Sequence, residues 1–173
     1  MHDDGEIDVR GTYTVIAVAS LLNLLTPQLI ENVAEYILSC QTYEGGFGGE
    51  PGNEAHGGYA FCAVAALQLL GRLGDCDVEG LKGWISRRQM SFEGGFQGRA
   101  NKLVDGCYSF WLGGAMAVVD CMEGGLSGMD SGVFDRIIDI GENNEDGVDV
   151  EEEVKKPTAS SGSLTFDQGK LQR

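Results

Sequence analysis

The 173-residue sequence predicts an all-α fold of the α/α-toroid kind, a partial double-layer barrel of helical hairpins, followed by a disordered acidic C-terminal segment. Three observations predict it: a repeat with a period of about 49 residues, alternation of apolar with amphipathic stretches, and a loss of apolar periodicity towards the C-terminus. We expect three repeats within residues 1–120 and an acidic low-complexity segment over residues 121–173.

The inner layer is predicted from the repeat itself. Glu44-Gly-Gly-Phe-Gly-Gly recurs 49 residues later as Glu93-Gly-Gly-Phe-Gln-Gly, and each motif is followed by a tyrosine that opens an apolar run. Tyr59 and Tyr108 are these tyrosines, and Tyr13 opens a third run. All three runs are apolar nearly all round, which is typical of helices buried on every side.

The outer layer is predicted from the stretches that follow these runs. Thr26 has the side chain of a helix cap, and Pro27 suits the first helical position. Apolar residues then recur at helical spacing in two repeats: Leu29, Ile30, Val33, Ala34, Ile37 and Leu38 in the first, and Val78, Leu81, Trp84 and Ile85 in the next. Three hairpins cannot close a ring, so we expect only part of a barrel.

Composition excludes several classes of protein. Twelve basic against 27 acidic residues give a net charge of −15, which argues against nucleic acid as a partner. The longest apolar run, residues 15–25, is too short to span a membrane, and the N-terminus does not resemble a signal peptide. Five cysteines without a CxxC pair favour a reduced, cytoplasmic chain.

The acidic segment predicts a flexible linker. Residues 121–173 carry 12 acidic and 5 basic side chains, and the stretch 141–163 shows no apolar periodicity. Such a stretch buries too little apolar surface to offset its ordering entropy. We expect proteases to cut it first, and an acidic docking tail is the alternative interpretation.

Charged side chains at the starts of the inner helices predict a site for an anion. Arg10, His56 and Asp105 each precede a repeat tyrosine by three residues, so we expect them at one end of the barrel. Helix N-termini favour anions, and Arg99 and Lys102 add two cations nearby. An anionic small molecule suits such a local patch better than a polyanion does.

A metal site is the alternative to a simple helix cap at the third inner helix. Asp105 and Cys107 offer oxygen and sulfur two residues apart, a combination that suits zinc. A buried cysteine beside a capping aspartate is the more common explanation of this pattern.

Three motifs together resemble the β subunits of protein farnesyltransferases, in the protein prenyltransferase β-subunit family. They are Glu54-Ala-His-Gly-Gly-Tyr59, Phe92-Glu-Gly-Gly-Phe-Gln-Gly-Arg99 and Asn101-Lys-Leu-Val-Asp-Gly-Cys-Tyr-Ser-Phe-Trp111. The resemblance runs from about Gly5 to Trp111, and the acidic segment is similar to an insertion in plant members. It implies an α/α toroid, a zinc ion and a prenyl diphosphate substrate.

The resemblance also implies roles for single residues. Asp105 and Cys107 match two of the family's three zinc ligands, and Arg10 matches a residue near the carboxylate of the bound Cys-a-a-X peptide. The residues that match the diphosphate site are His56, Arg99, Lys102 and Tyr108. Those that match the isoprenoid cavity and its mouth are Tyr13, Gly58, Tyr59, Cys62 and Trp111.

The implied reaction transfers a farnesyl group from farnesyl diphosphate to the cysteine of a C-terminal Cys-a-a-X motif. The implied partners are a farnesyltransferase α subunit, in a heterodimer, and Cys-a-a-X proteins; Mg²⁺ is compatible with the diphosphate. The alternatives are a type I geranylgeranyltransferase β subunit, favoured less by Leu103 and Gly106, and an inactive fragment that binds only the α subunit or prenyl diphosphate. A toroid of another kind, such as a terpene cyclase, would need an Asp-rich motif that we do not find.

The third zinc ligand has no match in the sequence. The two histidines are His2 and His56, and neither lies in the expected Tyr-His-Thr context. We therefore expect a fragment, a splice form or an incomplete gene model, and we expect the chain alone to be inactive.

Overall fold

The structure, a computed structural model, describes residues 5–124. Its helices are α1 (Val9–Leu21), α2 (Pro27–Ile30), α3 (Val33–Ser39), α4 (Gly57–Leu69), α5 (Val78–Ser86) and α6 (Cys107–Glu123), with a 3₁₀ turn at Leu73–Asp75. Within residues 5–124 the only β contacts are isolated bridges, so the prediction of an all-α fold is confirmed there. The expected disorder and the protease-sensitive stretch 141–163 lie outside the described residues.

Helices α1, α4 and α6 form the inner layer, as predicted. Helix α4 packs against both α1 and α6, while α3 packs against α4 and α5 packs against α6 from outside. The core lies between the layers and contains large side chains with almost no exposed surface. They include Ile37, Leu67, Leu81, Trp84, Ile85, Leu112 and Met116.

The first outer helix is interrupted where the sequence predicts one continuous helix. Thr26 does cap α2, since its hydroxyl oxygen accepts a hydrogen bond from the Leu29 N–H at 3.3 Å. Asn32 then takes a left-handed conformation with φ of +58° and separates α2 from α3. Asparagine tolerates this conformation, whereas apolar spacing carries no information about it. The prediction of a single helix was therefore wrong at this point.

The two glycine-rich motifs form matching turns between an outer and an inner helix. Gln41 pairs with Phe47 in one turn, and Gln89 pairs with Phe96 in the other. Both phenylalanines are fully buried. Gly45 and Gly94 have positive φ angles of 101° and 76°, which explains a glycine at the same place in both repeats.

One edge of the layered structure is apolar and exposed. Val15 and Leu29 line a groove between α1 and the outer helices, and Val18 and Leu22 of the same region are at least half exposed. Single exposed apolar side chains are ordinary, whereas several on one edge form an apolar patch. Among residues 5–124 no helix is long and apolar enough to cross a membrane.

We expect Gly45→Ala to destabilise the fold more than Gly52→Ala does. Both residues have positive φ, so alanine is strained at either position by about 1–2 kcal/mol. Only at Gly45 would the new Cβ also lie 2.1 Å from a backbone oxygen, that of Gly80, while Gly52 faces open space. Thermal unfolding followed by circular dichroism measures both losses. Equal losses would contradict this close packing of the turn against α5.

Candidate active site

The inner helices begin at one end of the layer, and the same kind of hydrogen bond is present at each start. A side chain accepts a hydrogen bond from the backbone N–H two residues later, which satisfies one free donor of the first turn. The pairs are Asp8 Oδ1 with Arg10 N at 2.8 Å, His56 Nδ1 with Gly58 N at 3.1 Å, and Asp105 Oδ1 with Cys107 N at 2.9 Å.

This pattern corrects the predicted equivalence of Arg10 with His56 and Asp105. The position that matches them is Asp8, and Arg10 lies in the first turn of α1. The reason is that α1 begins four residues before its tyrosine, whereas α4 begins two residues before Tyr59. Arg10 nevertheless lies at the same end, because its guanidinium is 5.3 Å from the centre of the Tyr59 ring.

A hydrogen bond between His56 and Tyr108 joins the starts of α4 and α6. His56 Nε2 and the Tyr108 hydroxyl oxygen are 3.0 Å apart. Because Nδ1 accepts from Gly58 N–H, the neutral imidazole carries its proton on Nε2 and donates it to Tyr108. The Tyr108 O–H is thereby left to donate to another group, such as an anionic oxygen.

Glycines on both sides leave room for the Tyr108 ring. A Cβ at Gly98 would lie 2.1 Å from Tyr108 Cζ, and one at Gly57 would lie 2.9 Å from Tyr108 Cδ1. The two glycines are themselves linked, since Gly57 N–H donates to the Gly98 carbonyl at 2.7 Å. The first repeat has the same arrangement, with Gly49 against the ring of Tyr59. The glycine motifs thus provide space for the repeat tyrosines.

A cavity of about 600 Å³ opens at this end, within the usual size range of small-molecule sites. Eight of the predicted site residues line it: Arg10, Tyr13, His56, Gly58, Tyr59, Cys62, Arg99 and Trp111. Thr14 also lines it but was missed by sequence reasoning, because nothing in the repeat distinguishes it. The other four predicted residues, Lys102, Asp105, Cys107 and Tyr108, are not among its lining residues.

The inner wall of the cavity is largely apolar and aromatic. Burial raises the pKa of the Cys62 thiol to about 11, so this side chain is uncharged at neutral pH. Phe61, which sequence reasoning also missed, packs edge-on against Tyr13 and Trp111 at centroid distances of 5.9 and 5.3 Å. Such a wall suits an apolar ligand.

Two of the three predicted cations, Arg10 and Arg99, line the cavity, and the three differ in how they are held. Arg99 Nη1 donates to Glu54 Oε2 at 2.9 Å, and Arg10 pairs with both Asp8 and Glu6. Lys102 is exposed and has no ion-pair partner within residues 5–124. The cavity lining therefore contains two guanidinium groups held by carboxylates, while Lys102 lies outside that lining.

The residues predicted to bind zinc lie together at the start of α6. Asp105 and Cys107 are exposed, and the Asp105 carboxylate raises the pKa of the Cys107 thiol. A carboxylate and a sulfur fit zinc as a partial ligand set. In the described part of the chain, no group of three His, Cys, Asp or Glu side chains is placed to hold a metal ion.

Comparison with known proteins finds one domain family and several similar proteins. The model of the prenyltransferase alpha-alpha toroid domain matches residues 1–172. The chain is 62% identical over 119 residues to the protein farnesyltransferase subunit beta of Pisum sativum, covering 69% of this chain and 28% of that protein. It is 57% identical over 111 residues to the Arabidopsis thaliana protein of the same name. That match covers 64% of this chain and 23% of the Arabidopsis protein.

A solved structure shares the fold. The protein geranylgeranyltransferase-I of Candida albicans, complexed with GGPP, superimposes with a TM-score of 0.59 at 30% identity, covering 67% of this chain and 36% of that one. The predicted toroid is thereby confirmed. The chain spans between about a quarter and a third of the length of these relatives.

We expect His56 to make the stability of the chain fall with acidification. Burial, and secondarily the charge of Arg99, lowers the pKa of His56 from its ordinary 6.5; Glu54 opposes the shift and Arg10 adds to it. The unfolded chain therefore takes up the proton first. The contribution of neutral His56 is present above pH 6.5 and is lost as the pH falls through the lower folded-state pKa.

Urea unfolding at several pH values measures this effect, with His56→Asn as the control. An asparagine oxygen can still accept from Gly58 N–H but does not titrate. The stability difference between the parent chain and this variant should shrink or reverse as the pH falls. An identical pH dependence of the two proteins would contradict the lowered pKa.

Proposed function

The chain belongs to the prenyltransferase α/α-toroid family, and on that basis we propose that it is part of the β subunit of a zinc-dependent protein farnesyltransferase. In this reaction a farnesyl group passes from farnesyl diphosphate to the cysteine of a C-terminal Cys-a-a-X motif. The observation that carries the proposal is the cavity, where an apolar aromatic wall meets cations at the mouth. A prenyl diphosphate has the same two parts, an apolar chain and an anionic head.

We propose that the diphosphate binds at the ends of α4 and α6. As the carbon–oxygen bond to the diphosphate breaks, negative charge grows on the leaving group. Arg99 and the Tyr108 hydroxyl offer donors at one place, and His56 contributes through its hydrogen bond to Tyr108, which leaves the tyrosine proton directed to a ligand. Lys102, which is exposed and has no ion-pair partner among residues 5–124, would complete the set by moving to the growing charge.

The isoprenoid chain and the peptide would occupy neighbouring parts of the cavity. Tyr13, Tyr59, Cys62 and Trp111 supply the apolar surface for the isoprenoid, with Gly58 at its mouth. Arg10 lies beside Tyr59 and would interact with the C-terminal carboxylate of the peptide. Its pairing with Asp8 and Glu6 fixes the guanidinium before the peptide arrives.

Zinc would bind to Asp105 and Cys107, with a third ligand from outside residues 5–124. Such a metal ion, when bound, lowers the pKa of a substrate thiol so that sulfur attacks as a thiolate. Because the Cys107 thiol has a raised pKa, zinc binding must displace a proton from it. We further propose Mg²⁺ with the diphosphate.

The proposed partners are a farnesyltransferase α subunit, in a heterodimer, and Cys-a-a-X proteins. We also propose a cytoplasmic location, because all five cysteines are free thiols in the structure. The relatives are named protein prenyltransferases, which favours this function over that of a terpene cyclase.

A type I geranylgeranyltransferase β subunit is the second candidate. The structural similarity to the Candida albicans geranylgeranyltransferase-I favours this candidate. The geranylgeranyl transferase type-1 subunit beta of Arabidopsis thaliana is also 39% identical to this chain over 130 residues. The higher identity to farnesyltransferase β subunits favours farnesyl transfer. The identity of the prenyl donor distinguishes the two.

A chimera tests the proposed function. Residues 5–124 of this chain would replace the matching segment of the pea farnesyltransferase β subunit, coexpressed with its α subunit. We expect labelling of a Cys-a-a-X peptide from farnesyl diphosphate in preference to geranylgeranyl diphosphate. Lys102→Ala and Arg99→Ala should slow the single-turnover step by about 10- to 100-fold with little change in peptide affinity, because they act on charge in the transition state.

Two controls distinguish loss of the proposed site from loss of the fold or of a general charge effect. Lys82→Ala removes a cation that lies away from the cavity, between Glu79 and Glu123, and should leave the rate unchanged. The 173-residue chain alone, given zinc and both substrates, should show neither tightly held zinc nor turnover, since it offers two zinc ligands among its described residues. An inactive, folded chimera, or unchanged rates in the Lys102 and Arg99 variants, would contradict the proposal.

A further inference from the structure

We propose that Glu54 is a positioning residue that orients the Arg99 guanidinium for an anionic ligand. This inference rests on the proposed function, in which Arg99 binds the diphosphate. Glu54 Oε2 accepts a hydrogen bond from Arg99 Nη1 at 2.9 Å. Glu54 precedes the His56 cap of α4, and Arg99 precedes α6, so the ion pair joins the two loops from which the mouth of the cavity is built.

The location of the pair indicates a role other than stability. The side chains of Arg99 and Glu54 are 42% and 48% exposed. Ion pairs with this much exposure contribute little to folding, because water screens the attraction and ordering two long side chains costs entropy. The role left for the Glu54–Arg99 ion pair is to orient the guanidinium of Arg99.

The geometry leaves Arg99 able to bind a ligand while Glu54 holds it. A guanidinium has five N–H donors in a rigid plane, and Glu54 engages Nη1. Arg99 lines the cavity, whereas Glu54 is not among the lining residues. Glu54 therefore holds the guanidinium through Nη1, and the donors that it does not engage can face an anion with a smaller loss of arginine rotamer entropy on binding.

A carboxylate near an anion site also repels the anion. Orientation of Arg99 by Glu54 should strengthen anion binding, whereas this repulsion should weaken it. The Glu54 carboxylate is half exposed and paired with the guanidinium, so water and that positive charge screen its repulsion of the anion. We therefore expect orientation of Arg99 to exceed repulsion. Lys102 provides the contrast, since it has the same charge but no ion-pair partner among residues 5–124 to orient it.

A double-mutant cycle on the full 173-residue chain tests the inference, with inorganic pyrophosphate as the ligand and NMR titration as the readout. Glu54→Ala should weaken pyrophosphate binding by about three- to tenfold, the effect of freeing one arginine side chain. Glu54→Gln keeps an oxygen acceptor for Arg99 Nη1 and should rescue binding to within about twofold. In an Arg99→Ala background, Glu54→Ala should have no further effect.

Glu50→Ala is the matched control, because Glu50 is exposed in the same loop and forms no ion pair within the described residues. It should leave binding unchanged, and circular dichroism should show every variant to be folded. Tighter binding by Glu54→Ala would mean that repulsion dominates, and an equal loss in the Arg99→Ala background would mean a merely structural role. Either result overturns the inference.

The two proposals fail differently in this experiment. If Arg99→Ala weakens pyrophosphate binding and Glu54→Ala does not, the anion site stands and only the positioning role is lost. If Arg99→Ala leaves binding unchanged, or the parent chain does not bind pyrophosphate, the proposed anion site is wrong. The inference about Glu54 is then wrong as well.

Discussion

The hydrogen bond between His56 and Tyr108 is the interaction on which the rest of the site depends. It joins the first turns of two inner helices that come from different repeats, at 3.0 Å. Because His56 also caps α4 through Nδ1, one imidazole fixes both the start of its own helix and the direction of the tyrosine hydroxyl. Glycines on both sides provide the space that the Tyr108 ring occupies. The mouth of the cavity is thereby preorganised before a ligand arrives.

Electrostatics follow from the same geometry. The chain is strongly acidic, yet Arg10, Arg99 and His56 line one cavity. Carboxylates hold both arginines in place, and burial keeps the imidazole neutral by lowering its pKa. An anion at the mouth therefore meets oriented donors, while the apolar wall behind them suits a hydrocarbon chain. The repeat creates this division, since each inner helix contributes a polar start and an apolar body.

Much of this arrangement follows from periodicity, and the exceptions have physical reasons. The repeat and the apolar spacing predict the two layers, and the tyrosine register predicts that His56 and Asp105 lie at the starts of inner helices. Sequence spacing could not show that Asp8 takes the equivalent place in α1, because that helix begins earlier relative to its tyrosine. Asn32 likewise breaks an amphipathic pattern through its backbone conformation. Contacts between loops, such as that of Glu54 with Arg99, depend on packing that no spacing encodes.

The tautomer of His56 tests the central claim most directly. Long-range ¹H–¹⁵N NMR distinguishes a protonated from an unprotonated imidazole nitrogen by its ¹⁵N shift. At a pH where the ring is neutral, Nδ1 should be unprotonated, because it accepts from Gly58 N–H, and Nε2 should carry the proton donated to Tyr108. Tyr108→Phe should shift the Nε2 resonance and leave that of Nδ1 nearly unchanged. A proton on Nδ1 of the neutral ring would contradict both the cap and the link to Tyr108.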